Sequence, residues 1–406
     1  MEELFSKDIE DISKFYKFSE DEMKMLNNID KTAEESYASE FEHYLKHEFN
    51  KEALESARKH GILGIPIDKE YGGSGMGPLI LALAEQRLGQ MGLGFATFFD
   101  VHTVLCSQAL QLWGTDGQKD KYLRDAASGS NIFAFALTET SAGSDPSMMK
   151  TSYVKENGRI IINGTKYLIS NGSIADTIIL FAKSSAGDGI TAFLVDTKSE
   201  GFDVSIELKE KLGLFTSPTS MIEFSDVEVG TDAILGEEGK GLHVAYSSLI
   251  NGRMGIGGGC IGIIEGCLSA SVKRARERVQ HGKAIGKHQL VQEHIAEIRQ
   301  NLEMARWPVY FAAMKKSENN KDKMNKELMK ETDMLSSLAK RIASRRAFDS
   351  ADRAVQIFGG FGYSLLSPVG PLFCDSRVAR IYEGTDEIQE LKIASAVLGE
   401  EFSAFR

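Results

Sequence analysis

The sequence predicts a multidomain α and β protein with a helical N-terminal domain, a middle antiparallel β domain and a C-terminal antiparallel four-helix bundle. Three observations carry this expectation. At 406 residues the chain exceeds one ordinary core and divides into two or three domains. Its hydrophobic period is helical to about residue 130, strand-like from Asn131 to about residue 235, and helical again from Gly241 nearly to the end. No long helical segment separates the strands, which excludes a doubly wound parallel sheet. The expected domains are therefore 1–130, 131–235 and 236–406.

In the first domain, Ser19 with Glu22 forms a capping-box signature, and Asn50 opens a helix that stops at Gly61. His43 and His47 stand four apart, a spacing open to a metal, but no third ligand is near in sequence. They read as a solvated face, and no metal site is expected. In the middle domain, IFAFALTE, SYVKENGRIIINGTKYLIS, TIILFAK, ITAFLV, FDVSIEL and MIEFSDVEV are short runs rich in β-branched and aromatic residues. The dipeptides Asn157-Gly158 and Asn163-Gly164 predict at least one hairpin. In the last domain, helices are expected over 242–279, 290–316, 327–357 and 385–398. The insert KKSENNKDKMNKE alternates in charge and reads as a solvated connection. Gly257, Gly259 and Gly262 satisfy GxGxxG, yet no strand precedes them, so they predict close helix packing and not a dinucleotide site.

Composition narrows the function classes. Hydrophobic residues make up 42% and charged residues 26%, as in soluble globular proteins. A net charge of -11 argues against a nucleic-acid surface, and no apolar run is expected to reach the length that spans a bilayer. The acid-rich opening MEELFSKDIEDISKF has neither the basic start nor the apolar core of a signal peptide, which leads to the expectation of a cytoplasmic protein. Cys106, Cys260, Cys267 and Cys374 contain no CxxC pair, so neither a disulfide framework nor a zinc site is expected.

Two stretches hold the chemistry. In RIYEGTDEIQEL, Glu383 precedes a turn at Gly384, a helix cap at Thr385, and Asp386 and Glu387 in the first helical turn. Burial against Ile381 and Tyr382 would raise the pKa of Glu383, and the positive helix end would lower it. Taken alone, a Glu before a helix is most often only favourable to the helix dipole. In FALTETSAGSD, Thr138, Ser141 and Ser144 supply hydroxyls and Gly143 frees backbone N–H groups, a set suited to a flavin edge or a phosphate, though also to a plain turn.

FALTETSAGSD, KYLISNG, LINGR, RVQHGK, AVQIFGGFGY and IYEGTDEIQ occur in the order and spacing of the acyl-CoA dehydrogenase family, and the whole chain resembles that family. The resemblance implies FAD as cofactor. It places Phe135, Leu137, Thr138, Gly143 and Ser144 at the flavin and acyl-CoA site, with Leu168, Ile169 and Ser170 beside the isoalloxazine. Thr385 and Glu387 join the cofactor set, and Ser144, Arg253 and Gly384 the substrate set. Arg278, Gln280, His281 and Gln289 would reach a neighbouring subunit's FAD, and Gln356, Ile357, Gly359 and Gly360 would form the other half of that contact, so a homo-oligomer, a tetramer, is implied. Glu383 falls on the family's catalytic carboxylate. Some members place that base immediately before the arginine corresponding to Arg253, where this chain has Gly252.

The implied reaction is FAD-dependent α,β-dehydrogenation of an acyl-CoA thioester to a trans-2-enoyl-CoA, with α-proton abstraction by Glu383 and hydride transfer from the β-carbon to flavin N5. An electron-transferring flavoprotein is the implied acceptor. An oxygen-using acyl-CoA oxidase and a non-catalytic acyl-CoA or flavin-binding scaffold are the alternatives. Three departures stand out: Leu168 replaces a tryptophan, His281 a phenylalanine, and Cys374 an arginine. The acyl pocket is expected among Ile80, Leu83, Phe98, Val101 and Leu105, with Asp100, His102 and Thr103 as polar candidates.

Overall fold

A computed structural model describes residues 2–187, 189–319 and 326–404. Seven helices form the N-terminal part: α1 (Glu2–Ile12), α2 (Glu20–Lys46), α3 (Lys51–His60), α4 (Pro78–Gly89), α5 (Leu93–Phe99), α6 (Gln108–Trp113) and α7 (Asp116–Ser128). A π-helical segment, Asp100–Ser107, joins α5 to α6. The expected caps form: Ser19 and Glu22 close a reciprocal box, and the Asn50 side chain accepts from Ala53 N–H. His43 pairs with Glu52 at 2.7 Å, and among the described residues no His, Cys, Asp and Glu group has metal-site geometry.

The middle sheet contains β1 (Phe133–Ala136), β2 (Ser152–Glu156), β3 (Arg159–Ser170), β4 (Thr177–Ser184), β5 (Ile190–Asp196), β6 (Phe202–Glu207), β7 (Thr219–Val229) and β8 (Ile234–Leu235). Its order is β6-β7-β3-β2-β4-β5-β8. Most pairings are antiparallel, as expected, but β1 and β2 both run parallel to β4. They lie end to end on one edge of β4, pairing at Phe133↔Thr177 and Ser152↔Lys183 respectively. The loop 137–151 therefore leaves the sheet where one strand stops and the next begins. Along β4 and β5 alternate side chains enter two cores: Ile179, Phe181, Ala192 and Leu194 pack with α6 and α7, and Ile178, Leu180, Phe193 and Val195 with β3 and β7.

Asn157-Gly158 makes the hairpin between β2 and β3, with φ of 51° and 80°. Asn163-Gly164 does not turn the chain. It sits inside β3 at a bulge, where Asn163 exchanges hydrogen bonds with Asp226 (Nδ2 to Oδ1 and Asp226 N to Oδ1, both 2.8 Å).

The C-terminal part contains α8 (Gly241–Glu277), a two-strand hairpin of β9 (Val279–Gln280) and β10 (Lys283–Ala284), α9 (Gln289–Asn319), α10 (Lys326–Phe358), α11 (Gly370–Val378) and α12 (Asp386–Leu398). The centre of the charged insert, residues 320–325, lies outside the described residues. Helix α10 packs on α8, α9 and α12, and α4 of the N-terminal part packs on α8 and α9, so these helices share one core. The glycines of α8 explain the approach. A Cβ on Gly262 would lie 2.7 Å from Gln90 N, and one on Gly89 would lie 2.8 Å from Gly259 Cα. GxGxxG here is a helix-packing face. The sequence expectation that no apolar run is long enough to cross a membrane is corrected by α8, which has the length and composition; 83% of its most apolar window is buried in the protein.

Candidate functional site

After α11 the chain makes a turn in which Glu383 (φ 52°) and Gly384 (φ 95°) both adopt left-handed conformations. A non-glycine residue there costs about 1–3 kcal/mol and persists only where its surroundings over-determine it. They do so here. Lys340 Nζ, from α10, donates to Gly384 O at 2.8 Å, and Gln389 Nε2 donates to Glu383 O at 3.2 Å and Gly384 O at 3.0 Å. Thr385 caps α12, its hydroxyl accepting from Ile388 N–H at 3.3 Å.

The Glu383 residue is half-buried, but its Oε2 is shielded from solvent and has no hydrogen-bond partner. Burial pushes its pKa up, against Asp100 within hydrogen-bonding reach and the nearby charges of Lys340 and Arg253, which hold it down. The burial does not come from Ile381, which is 51% exposed. It comes from the glycine face of α8: Gly252 faces the carboxyl, where any Cβ would lie 2.5 Å from Oε2. Arg253, 2% exposed, binds Asp333 and Ser337 with Nη1, so its charge is partly matched. Lys392 donates to the other oxygen of Asp333 at 2.9 Å.

A cavity of about 200 Å³ joins Glu383, Gly384 and Arg253 to Phe135, Leu137, Thr138, Gly143, Ser144, Leu168, Ile169 and Ser170. All eleven were expected to meet. A larger space of about 650 Å³ shares Ser144, Tyr246, Ile388 and Lys392 with it and continues between α10 and α12. Thr385 and Glu387 are not on the inner wall; Thr385 is spent as a cap and Glu387 is exposed. Arg278, Gln280, His281 and Gln289 are also elsewhere. They lie exposed after α8, whose far end at Arg278 is roughly 37 Å from Arg253 at 1.5 Å per helical residue. Gln356, Ile357, Gly359 and Gly360 are at the same end, where Arg274 lies 5.3 Å from the Phe358 ring. Of these, Gln356, Gly359 and Gly360 are exposed and Ile357 is buried. One chain therefore does not bring either group to its own cavity. His281 occupies the β9–β10 turn at φ 51°, and Cys374 is partly buried, its thiol pushed up to about 11 by burial.

Of the expected acyl-pocket residues, Val101 and Leu105 line the cavity, with Asp100. Ile80, Leu83 and Phe98 are core residues. His102 is structural: it accepts Phe133 N–H at 3.2 Å through Nδ1, and its Nε2 faces Ala126 O at 3.1 Å. Thr103 is buried. Sequence reasoning missed Glu139, which anchors the hydroxyl loop. Burial would raise its pKa, but N–H groups of Lys150 (2.6 Å) and Thr151 (3.0 Å) and Lys166 Nζ (2.9 Å) hold it lowered. Burial in turn lowers Lys166 to about 8. It also missed Thr97, Tyr246, Lys340 and Lys392. The available signal was a charged or polar residue inside an apolar run, as at Lys340 in MLSSLAKRIA.

The cavity suits a flat ring system with apolar faces and polar edges. Leu168, at φ 60° on a bulge of β3, presents a 52%-exposed side chain, and a Cβ on Gly143 would meet nothing within 4 Å. The hydroxyls of Thr138 and Ser170 flank this surface, and the buried Thr97 hydroxyl lacks a partner.

Family models of the N-terminal, middle and C-terminal domains of acyl-CoA dehydrogenase match residues 19–130, 134–227 and 239–398. An acyl-CoA dehydrogenase of Bacillus subtilis is 38% identical over 87% of this chain and 91% of its own. Butyryl-CoA dehydrogenase from Megasphaera elsdenii superposes with a TM-score of 0.88 at 33% identity, over 95% of this chain and 100% of its own. A chain solved in work on the electron transferring flavoprotein of Acidaminococcus fermentans gives the same TM-score and identity over 94% and 99%. By sequence, by domain order and by fold, the chain belongs to the acyl-CoA dehydrogenase family and is an FAD-dependent oxidoreductase acting on acyl-CoA.

Proposed function

We propose that Glu383 is the base that removes the α-proton in α,β-dehydrogenation of an acyl-CoA thioester. The observation that carries this reading is a carboxylate held in a left-handed turn at the wall of the cavity, with Oε2 shielded and unpartnered. Burial makes the ionised form more basic, while Arg253 and Lys340 keep it accessible. The backbone N–H of Glu383 is the candidate donor to the thioester oxygen, where negative charge develops. Ser144, Arg253 and Gly384 are assigned to the substrate.

Phe135, Leu137, Thr138, Gly143, Ser144, Leu168, Ile169 and Ser170 would hold the flavin ring, with Thr385 and Glu387 at the α12 end. When bound, FAD supplies the acceptor for the hydride that leaves the β-carbon. Arg278, Gln280, His281 and Gln289, with Gln356, Ile357, Gly359 and Gly360, are assigned to the FAD of a neighbouring subunit in a homotetramer. The exposure of all of these but Ile357, and the roughly 37 Å of helix between Arg253 and Arg278, support that assignment. An electron-transferring flavoprotein is the proposed acceptor, supported by the Acidaminococcus neighbour. We place the protein in the cytoplasm and divide it at 1–130, 131–235 and 236–406.

Anaerobic bleaching of the flavin by straight, branched, aromatic and dicarboxylic acyl-CoAs tests the base. Glu383→Gln should retain FAD and lose at least ~100-fold in bleaching rate. Bleaching at the unsubstituted rate would remove Glu383 from this role.

A further inference from the structure

Glu383 has carboxyl neighbours that the dehydrogenation chemistry does not require. Three carboxyl side chains follow one another along the glycine face of α8: Glu383 against Gly252, Asp100 against Gly255, and Glu85 against Gly258. Asp100 and Glu85 are each 1% exposed. Glu383 Oε2, Asp100 Oδ1 and Glu85 Oε1 are all buried without a hydrogen-bond partner. Asp100 lines the same cavity as Glu383, within hydrogen-bonding reach of its carboxyl. It also opens the π-helical segment, an irregularity that occurs mostly at functional sites.

The cations nearby are engaged only in part, and Arg253 Nε is buried without a partner. Arg253 binds Asp333, Lys392 binds Asp333, and Lys340 donates to Gly384 O. The other titratable groups facing the pair are Tyr382 and Cys106, both held neutral by burial. A structural role would be served better by apolar side chains of the same volume, because buried charges without partners are destabilising.

We propose that Asp100 is a positioning residue that shares one proton with Glu383, donating a hydrogen bond to the carboxylate and fixing it in its reactive orientation. The proposal rests on the reading of Glu383 as base. Two carboxyl groups in hydrogen-bond contact away from water do not both ionise. Burial raises Asp100 well above the usual range, and the negative charge of Glu383 raises it further; Glu85 is raised in the same way. Glu383 is raised too, but a proton donated from Asp100 would oppose that rise. Lys340, held on Gly384 O beside Glu383, and Arg253 favour the ionised form of Glu383, so in this proposal the proton sits on Asp100 and the negative charge on Glu383. When the α-carbon–hydrogen bond breaks, Glu383 gains that proton, and the pair passes from one proton to two.

The test measures the pH dependence of anaerobic flavin bleaching in holoenzyme of Asp100→Asn, which keeps a donor but cannot titrate, and Asp100→Ala, which has neither. In the unsubstituted enzyme the rate should fall at alkaline pH as Asp100 ionises beside the base. Asp100→Asn should lose this alkaline limb. Asp100→Ala should move the acid limb up by about one pH unit, a ~10-fold loss on that side. Infrared spectra of enzyme labelled with carbon-13 aspartate supply a second readout: a protonated carboxyl band should persist at mildly alkaline pH and disappear in Asp100→Asn. Unshifted limbs in both variants, or absence of that band, overturn the shared proton. Bleaching by Glu383→Gln at the unsubstituted rate would instead overturn the base itself, so the two failures are distinct.

Discussion

Gly252 and Glu383 compete for the same space. A Cβ on Gly252 would lie 2.5 Å from Glu383 Oε2 and 2.7 Å from its carboxyl carbon. The position before Arg253, where the resemblance puts the base of some members, and the proposed base Glu383 thus converge on one point, reached from α8 or from the turn before α12. Gly252→Ala should therefore displace the carboxylate and slow flavin bleaching by ~100-fold or more, with FAD retained. Moving the carboxylate, as Gly252→Glu with Glu383→Gly, should restore part of that loss. A double variant no faster than Glu383→Gly alone would show that the shared space does not give a shared trajectory.

The hydroxyl loop depends on the buried pair Glu139 and Lys166 (2.9 Å). Lys166 Nζ also donates to Leu137 O at 3.1 Å, which ties the pair to the residue before Thr138. Removing one member leaves an uncompensated charge, so Lys166→Met should destabilise by about 3 kcal/mol in denaturant unfolding and weaken FAD retention. The double variant Glu139→Leu with Lys166→Met should lose less than the sum of the single changes. Strict additivity would mean that the two charges do not stabilise each other.

Much of this arrangement is legible in the sequence because it is local. Helices α8, α9, α10 and α12 follow from their period, and Asn157-Gly158 makes its hairpin with the expected pair of left-handed residues. Asn163-Gly164 misleads because the same dipeptide also suits a bulge, and only the side-chain pairing with Asp226 distinguishes them. The parallel pairing of β1 and β2 with β4 is hidden for a related reason: each is four or five residues long, and a loop in place of a helix connects them. In the site, motif order locates Glu383. Nothing in LALAEQRLG or ATFFDVHTV tells that Glu85 and Asp100 approach it, because glycines of a helix more than 140 residues later create the room.

Acid should weaken the fold through His102. Burial depresses its pKa to about 4 from the ordinary 6.5. Between these values the unfolded chain binds more protons than the folded one, so stability rises with pH across that window and falls as pH drops through it. The full loss near pH 4 is about 3 kcal/mol at most. Protonation also removes the Nδ1 acceptor of Phe133 N–H, which joins the π-helical segment to β1. His102→Gln should flatten the dependence of denaturation midpoint on pH over this interval. An unchanged slope would assign the acid sensitivity to other groups.

Leu168 is held at φ 60° where β3 bulges away from β7, between the paired residues Lys166 and Ile169. A leucine gains nothing from this backbone conformation, which glycine adopts freely. Its half-exposed side chain nevertheless supplies apolar surface to the cavity assigned to the flavin ring. Stability and cofactor affinity are therefore opposed at one residue. Leu168→Gly should stabilise the apoprotein by about 1 kcal/mol by relieving the left-handed backbone, and should weaken FAD by ~10-fold through lost apolar contact. Leu168→Trp keeps the backbone cost and adds an aromatic face, so it should leave apoprotein stability nearly unchanged and tighten FAD. Thermal unfolding of apoprotein together with fluorescence titration of FAD separates the two effects. If both quantities moved in the same direction in Leu168→Gly, the side chain would belong to the β-domain core and not to the cofactor surface.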